Sequence, residues 1–390
     1  MCNRVRLEPF LPPEQKAHSR QHYVGLACNT AATLTFGLVS VLVKLAGLPT
    51  PLMLQVRSLT QWSMALVAVA LRLRRVRQQT PPAPSLPPYV RPRLLLPAAA
   101  EAEAAEAEAE AIGSPSPPPS AVDLLFAPAG HRVLLVLRSL MYWAFMMLWW
   151  AALVHMPPGD AVAIVYLNPI LTAIFASILL SEPINAAVPY CCVLATAGVV
   201  LIVRPSFLFG GAQVTPAYAT GLSLAFGSAV MAGLLPLAVR KSKDVHWSTV
   251  EHITAILASF VFTPVFLISW LATPGSGEGT VPDKLGRLLE PGGLLCSWRS
   301  ALVVLIAGIG FFGLAMQTIG YQKVESTATA AVMAYLEVPF VFLLQSLFFG
   351  EAADAVKLLG VTLIVASGVL NLWHGEIARV VGRRWRAEFN

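Results

Sequence analysis

Ten runs of about twenty residues, each almost wholly apolar and closed off by Pro, Gly or charge, divide this 390-residue sequence. A bilayer core about 30 Å thick takes about 20 residues of helix, and a helix satisfies its own backbone N–H and C=O groups where no water can. The runs fall at 24–46, 51–72, 132–154, 159–180, 186–204, 216–239, 247–272, 300–322, 327–349 and 355–374. Between them stand helix breakers and caps such as Pro49-Thr50-Pro51, Pro157-Pro158-Gly159-Asp160 and Arg204-Pro205. The pattern predicts an all-α integral membrane protein with ten transmembrane helices. Composition agrees: 12% of residues are charged, against about 25% in a soluble domain, and the mean hydropathy is +0.67. A soluble enzyme and a secreted disulfide scaffold are excluded, since Cys2, Cys28, Cys191, Cys192 and Cys296 show no bridge or zinc spacing.

The net charge of +6 would suggest nucleic acid in a soluble chain. Here no nucleic-acid partner is expected, because the placement of Lys and Arg reads as orientation in a lipid bilayer. With both termini in the cytosol, the cytosolic side holds nineteen of the 27 Lys and Arg residues and the opposite side five. Lys44, Arg57 and Arg138 fall inside the runs. Gaining or losing one helix would scramble that bias. The first apolar run is too long for a cleavable signal and is expected to act as an anchor.

The segment 73–130 differs in kind. It is Pro-rich at Pro81-Pro82-Ala83-Pro84, then a Glu/Ala repeat from Glu101 to Ala111, then Pro-rich again at Pro115 to Pro119. It is expected to be a low-complexity cytosolic insertion, flanked by a basic cluster (Arg72 to Arg77) suited to anionic headgroups.

Two runs look alike. One reads Ala163-Ile-Val-Tyr166-Leu-Asn168-Pro169 and closes at Glu182; the other reads Val332-Met-Ala-Tyr335-Leu-Glu337-Val-Pro339 and closes at Glu351. Each tyrosine precedes its closing Glu by sixteen residues. Each run is the fourth of five, and five is odd, so the second set enters the membrane in the opposite sense. The expected plan is a tail over 1–23, one five-helix repeat over 24–204 that contains the insertion, an inverted repeat over 216–374, and a basic tail over 375–390. Inverted repeats mark transporters with a site near the midplane.

At these residues the sequence resembles a known family. The Ala-rich helix with a central Pro and a closing Glu, in a five-plus-five plan, is similar to the EamA domain of the drug/metabolite transporter superfamily. The closer similarity is to solute carrier family 35, group G. It is carried by Ser40-Val-Leu-Val-Lys44, by Met156-Pro-Pro-Gly-Asp160-Ala through Asn168-Pro169 to Glu182, by Gly198-Val-Val-Leu-Ile-Val-Arg204-Pro205, and by Tyr335-Leu-Glu337 with Gln345 and Glu351. The insertion departs from the family pattern. The resemblance implies a secondary carrier with a central cavity, working by alternating access.

Ionisable groups at membrane depth face a cavity or a partner, because burying them in lipid is costly. Arg57 and Arg138 suit a carboxylate or phosphate; Arg57 could instead pair with Glu337, and Arg138 could snorkel to the headgroups. Glu337 could couple transport to protons or balance either arginine. Lys44 is a gate candidate or a snorkelling helix-end lysine. Tyr166, Asn168, Tyr335 and Gln317 are polar groups suited to lining a cavity or bonding between helices, and Pro169 frees the Val165 carbonyl. Ser248-Thr-Val-Glu251 reads as a capping box, and His18 with His22 as part of a polar tail. Glu182 and Glu351 read as structural helix ends.

The expected substrate is a small anionic metabolite, an organic anion or a nucleotide-sugar-like molecule, bound by Arg57, Arg138, Tyr166, Asn168, Gln317, Tyr335 and Glu337. Lys44 and Glu337 are the gate or coupling candidates. No catalytic residues, metal or cofactor are expected, and the lack of a Walker-type motif argues against ATP-driven pumping. The alternative is a membrane scaffold recruiting partners through 73–130. Golgi, endoplasmic reticulum, plasma membrane and plastid envelope fit alike, as do a monomer and a homodimer.

Overall fold

A computed structural model describes residues 13–46, 50–79, 120–210, 215–272, 298–350 and 354–388. Its regular elements are helical: α1 Pro13–Ala46, α2 Thr50–Gln79, α3 Ala121–Phe126, α4 Ala129–His155, α5 Pro158–Val165, α6 Asn168–Leu179, α7 Ala187–Val203, α8 Ser206–Phe209, α9 Pro216–Lys241, α10 Trp247–Leu257, α11 Thr263–Ala272, α12 Trp298–Lys323, α13 Thr327–Val332, α14 Glu337–Phe349 and α15 Ala355–Glu388. A π-helical turn, Ala258–Phe262, joins α10 to α11, and a 3-10 turn, Met333–Leu336, joins α13 to α14.

Polarity is inside out relative to a water-soluble fold. Arg138 is 5% exposed, whereas Val154 is 81% and Val133 79% exposed. Apolar side chains pointing outward around buried polar ones are what lipid as solvent demands. Eight stretches are long and apolar enough to cross a membrane: Arg20–Leu45, Ala121–His155, Pro158–Leu179, Pro216–Lys241, Trp247–Ser269, Ala301–Lys323, Thr327–Phe349 and Ala355–Trp373. The chain is therefore an all-α, multi-pass membrane protein. Two of the ten expected spans stand outside these eight. Helix α7, at 17 residues, is apolar but short. Helix α2 has 30 residues, but Gln55, Arg57, Gln61 and the terminal arginines dilute its apolar character.

The expected insertion is narrower than 73–130. Helix α2 runs on to Gln79, and Ser120 caps α3 by accepting from the Asp123 N–H at 3.0 Å. Leu124 and Ala127 are buried there, and Thr249 donates to the Leu124 carbonyl at 2.7 Å. The Glu/Ala repeat lies outside the described residues.

The most extensive helix contacts are α1 with α12, α4 with α9, and α7 with α15. Small residues permit them. A Cβ on Gly198 of α7 would come to 2.6 Å from the Gly360 carbonyl of α15, and one on Gly360 to 2.7 Å from the Gly198 carbonyl. A Cβ on Gly320 would fall 2.5 Å from Asn29 of α1. The Gly198–Gly360 crossing is a backbone-to-backbone approach that no larger residue allows, whereas Gly320 makes room for the Asn29 side chain.

Helix α10 begins one residue before the expected cap. His246 is its N-cap, and its Nδ1 accepts from the Ser248 N–H at 3.2 Å, so Ser248 does not cap a box with Glu251. Burial, and then the charge of Arg72, hold the His246 imidazole down at about 4, below its ordinary 6.5. A base with a lowered folded pKa lends stability above pH 6.5 that is lost as the pH falls towards 4. The melting temperature in detergent should fall over that window. His246→Asn, which caps without titrating, should remove part of the fall; an undiminished fall in the variant would assign it to other groups.

Candidate functional site

Arg57 and Arg138 line one cavity. A cavity of about 30 Å³, room for about one water molecule, is lined by α2, α4, α10 and α12. Helical spacing brings its residues to one face. Arg57 and Gln61 of α2 are four apart, as are Arg138 and Tyr142 of α4. Glu251, Thr254 and Ala258 continue the wall along α10 into the π turn. That turn is stitched to α2: Gln55 donates to the Ser259 carbonyl at 3.2 Å and accepts from Thr263 at 2.8 Å, and Ser58 lies 3.0 Å from the Thr263 hydroxyl. Insertions of this kind often shape functional walls.

Arg138 does not snorkel. Its Nη2 donates to Glu251 Oε1 at 3.0 Å and its Nη1 to the Thr254 hydroxyl. Thr318 of α12 donates to the same Glu251 oxygen at 2.5 Å. Glu251, expected to be a cap residue, is instead the buried counter-ion of Arg138. The sequence pattern Ser-x-x-Glu hid this; a signal was present in Glu251 and Thr254 sharing a face of an apolar helix.

The cavity presents donors that have no partner among the described residues. Arg138 Nε, Gln61 Nε2 and Trp143 Nε1 are all buried and unbonded. Arg57, half-buried, makes no hydrogen bond or ion pair there. A Cβ on Gly310 would stand 3.7 Å from Arg57 Nε and 3.8 Å from Gln61 Nε2, so α12 offers the arginine open backbone rather than a side chain. Gln61 and Trp143 escaped sequence reasoning, because one Gln or Trp in an apolar run looks unremarkable until its neighbours are known.

The remaining candidates lie elsewhere. Tyr166 and Tyr335 stack with ring centroids 6.5 Å apart, and the Tyr335 hydroxyl lies 3.0 Å from that of Thr196. The Tyr166 hydroxyl is directed at the Glu337 carboxyl, and Glu337 also packs on α1 at Gly37. Glu337 thus meets a tyrosine, and the Arg138 charge is balanced by Glu251 rather than by Glu337. Asn168 donates to the Val165 carbonyl at 2.9 Å. The carbonyl freed by Pro169 is therefore satisfied locally, not turned to a cavity. Gln317 is half-buried on α12 and lines no part of the arginine cavity; its neighbour Thr318 makes the contact to Glu251. Lys44 is exposed in the last turn of α1, 4.3 Å above the Phe349 ring.

Two polar clamps close helix ends. Glu182 accepts from Arg240 at 3.3 Å, from the Thr327 N–H at 2.7 Å and from the Thr327 hydroxyl at 3.0 Å, as its structural reading requires. Buried Asp160 accepts from Ser206 and from the Tyr218 hydroxyl. His22 belongs to α1 rather than to a polar tail; it is buried and accepts from the Glu325 N–H at 3.1 Å. Glu351 and His18 lie outside what the structure describes of side chains.

Comparison with known proteins agrees with this architecture. Residues 114–204 match the EamA-like transporter family. Human solute carrier family 35 member G1 is 29% identical over 248 residues, 62% of this chain and 62% of that protein. The pseudopaline exporter CntI of Pseudomonas aeruginosa is 25% identical over 234 residues, 60% of this chain and 72% of that one. A solved crystal structure shares the fold with a TM-score of 0.58 at 18% identity, covering 94% of this chain and 99% of its own. The match spans less than two thirds of the human relative's length. With an EamA-like segment at 114–204 and this likeness to group G, the chain resembles an EamA-type transporter of the drug/metabolite transporter superfamily.

Proposed function

We propose that the protein is a secondary-active carrier of a small anionic metabolite, with Arg57 and Arg138 as its anion-binding residues. The observation that carries this is the set of donors around one cavity that have no partner among the described residues: Arg57, and the buried Arg138 Nε, Gln61 Nε2 and Trp143 Nε1. Buried donors want acceptors, and two guanidinium groups make the preferred acceptor anionic. The cavity holds about 30 Å³, so on this reading the helices part to load a metabolite, in keeping with alternating access. Acidic counterparts are scarce: Glu251 is the carboxylate lining the cavity among the described residues.

We further read the chain as ten spans in two inverted repeats, 24–204 and 216–374, with both termini cytosolic. Packing supports this. Exchanging the repeats turns the contact of α1 with α12 into that of α9 with α4, and these are two of the most extensive pairs. Both fourth spans are interrupted at the same place, beside Tyr166 and within Met333–Leu336. In this plan α2 and α7 are spans too.

Tyr166, Tyr335 and Glu337 form a second polar cluster where the two interrupted spans meet, and Glu337 is the coupling candidate within it. Glu337→Gln should flatten the pH dependence of uptake without abolishing binding; an unaltered pH profile removes Glu337 from coupling. Asn168 and Lys44 have local partners and are not given a substrate role.

The function is tested by counterflow in proteoliposomes. Purified protein would face mono-, di- and tricarboxylates, sugar phosphates, nucleotide sugars and neutral amphiphiles. Saturable exchange of anions is expected. Transport of neutral solutes alone would overturn the assignment.

A further inference from the structure

We propose that the cavity is built for an organic anion carrying one net negative charge, and that Glu251 is the positioning residue that sets this valence. The inference rests on the anion-carrier reading above. Three side chains of Asp, Glu, Lys or Arg type line the cavity among the described residues: Arg57, Arg138 and Glu251. Their formal charges leave one positive charge.

The geometry keeps Glu251 in that count. Its Oε1 is held from two sides, by Arg138 Nη2 at 3.0 Å and by the Thr318 hydroxyl at 2.5 Å, and its side chain is 3% exposed. Arg138 in turn spends Nη2 on Glu251 and Nη1 on Thr254, leaving its Nε edge unbonded. The guanidinium therefore offers a ligand one edge, not its whole fork. Arg57 has no counter-ion among the described residues. Together they present one unshared positive charge and several neutral N–H donors.

Uncompensated charge is costly at membrane depth. A monoanion brings the site to neutrality. A dianion places a surplus negative charge beside the carboxylate of Glu251, and that like-charge juxtaposition excludes wrong ligands.

The test is a valence series of matched size, butyrate against succinate, in counterflow at neutral pH. The wild-type protein should prefer butyrate. Glu251→Gln keeps an acceptor for Arg138 and Thr318 but removes the charge, and should raise the succinate-to-butyrate ratio by at least about tenfold. A gain for the dianion cannot come from partial unfolding. Gln61→Lys adds one positive charge while leaving Glu251 in place, and should move the ratio the same way if the first variant fails to fold. Preference of the wild type for succinate overturns the proposal. So does a ratio unmoved in both charge variants, and in that case anion transport itself still stands. Absence of any anion transport overturns both readings together.

Discussion

Arg57→Gln should lower anion counterflow by about a hundredfold while the protein remains folded, because truncating one partner of a desolvated charge contact costs about 2–5 kcal/mol. The variant is a clean probe. Arg57 makes no hydrogen bond or ion pair among the described residues, so its loss orphans no acceptor. Removing a lone cation from membrane depth should leave the melting temperature equal or higher. Arg138→Gln is the opposite case. It strips Glu251 of its counter-ion and leaves a buried carboxylate held by Thr318 alone, and breaking such a pair costs about 3–5 kcal/mol. Lost flux in that variant is therefore confounded with lost stability. Counterflow read beside thermal unfolding separates the two. Full anion exchange by Arg57→Gln would make the arginine structural and the donor-lined cavity irrelevant to cargo.

Gly198→Ala should destabilise the protein by about 3 kcal/mol, the upper end for overpacking. The added methyl carbon would stand 2.6 Å from both the Gly360 carbonyl oxygen and Ile364 Cγ1. The obstruction is backbone, and α15 cannot yield it by changing a rotamer. Gly360→Ala meets the same wall from the other side, at 2.7 Å from the Gly198 carbonyl. Gly310→Ala is the control: its nearest neighbours are 3.7 Å away, so it should fold normally. Equal melting temperatures for Gly198→Ala and Gly310→Ala would mean that the α7–α15 crossing is looser than described.

How much of this was legible in the sequence depends on whether the signal was local. Apolar run length marked eight stretches that form helices long and apolar enough to cross a membrane, and α2 and α7, where charge or shortness weakens the pattern, stand outside them. Arg57 and Arg138 announced themselves as charges in apolar surroundings, and both line the cavity. Tyr166 and Tyr335 stood out as matching positions of two similar runs, but their stacking carried no sequence signal. Partners were another matter. Glu251 lies 113 residues from Arg138, and no spacing rule joins them. Its local context, Ser-x-x-Glu, fits a capping box, and nothing in that spacing marks the carboxylate as buried. The true cap, His246, acts through an imidazole acceptor rather than a hydroxyl or carboxylate. Asn168 failed in the other direction: a polar group suited to a cavity is consumed by the carbonyl three residues before it. Gln61 and Trp143 carried no signal beyond sharing helices with the arginines.

On the anion-carrier reading proposed above, the single surplus positive charge of the cavity also bears on membrane voltage. Carrying one elementary charge through the whole transmembrane field is worth about 2.3 kcal/mol per 100 mV. An empty cavity that changes sides by exchanging its barriers shifts that charge within the field, whereas a cavity neutralised by a monoanion shifts none. The electrical work then falls on the unloaded return. Solute-for-solute swapping escapes it, and one-way delivery does not, so clamping the potential should slow or speed net flux while leaving exchange almost untouched.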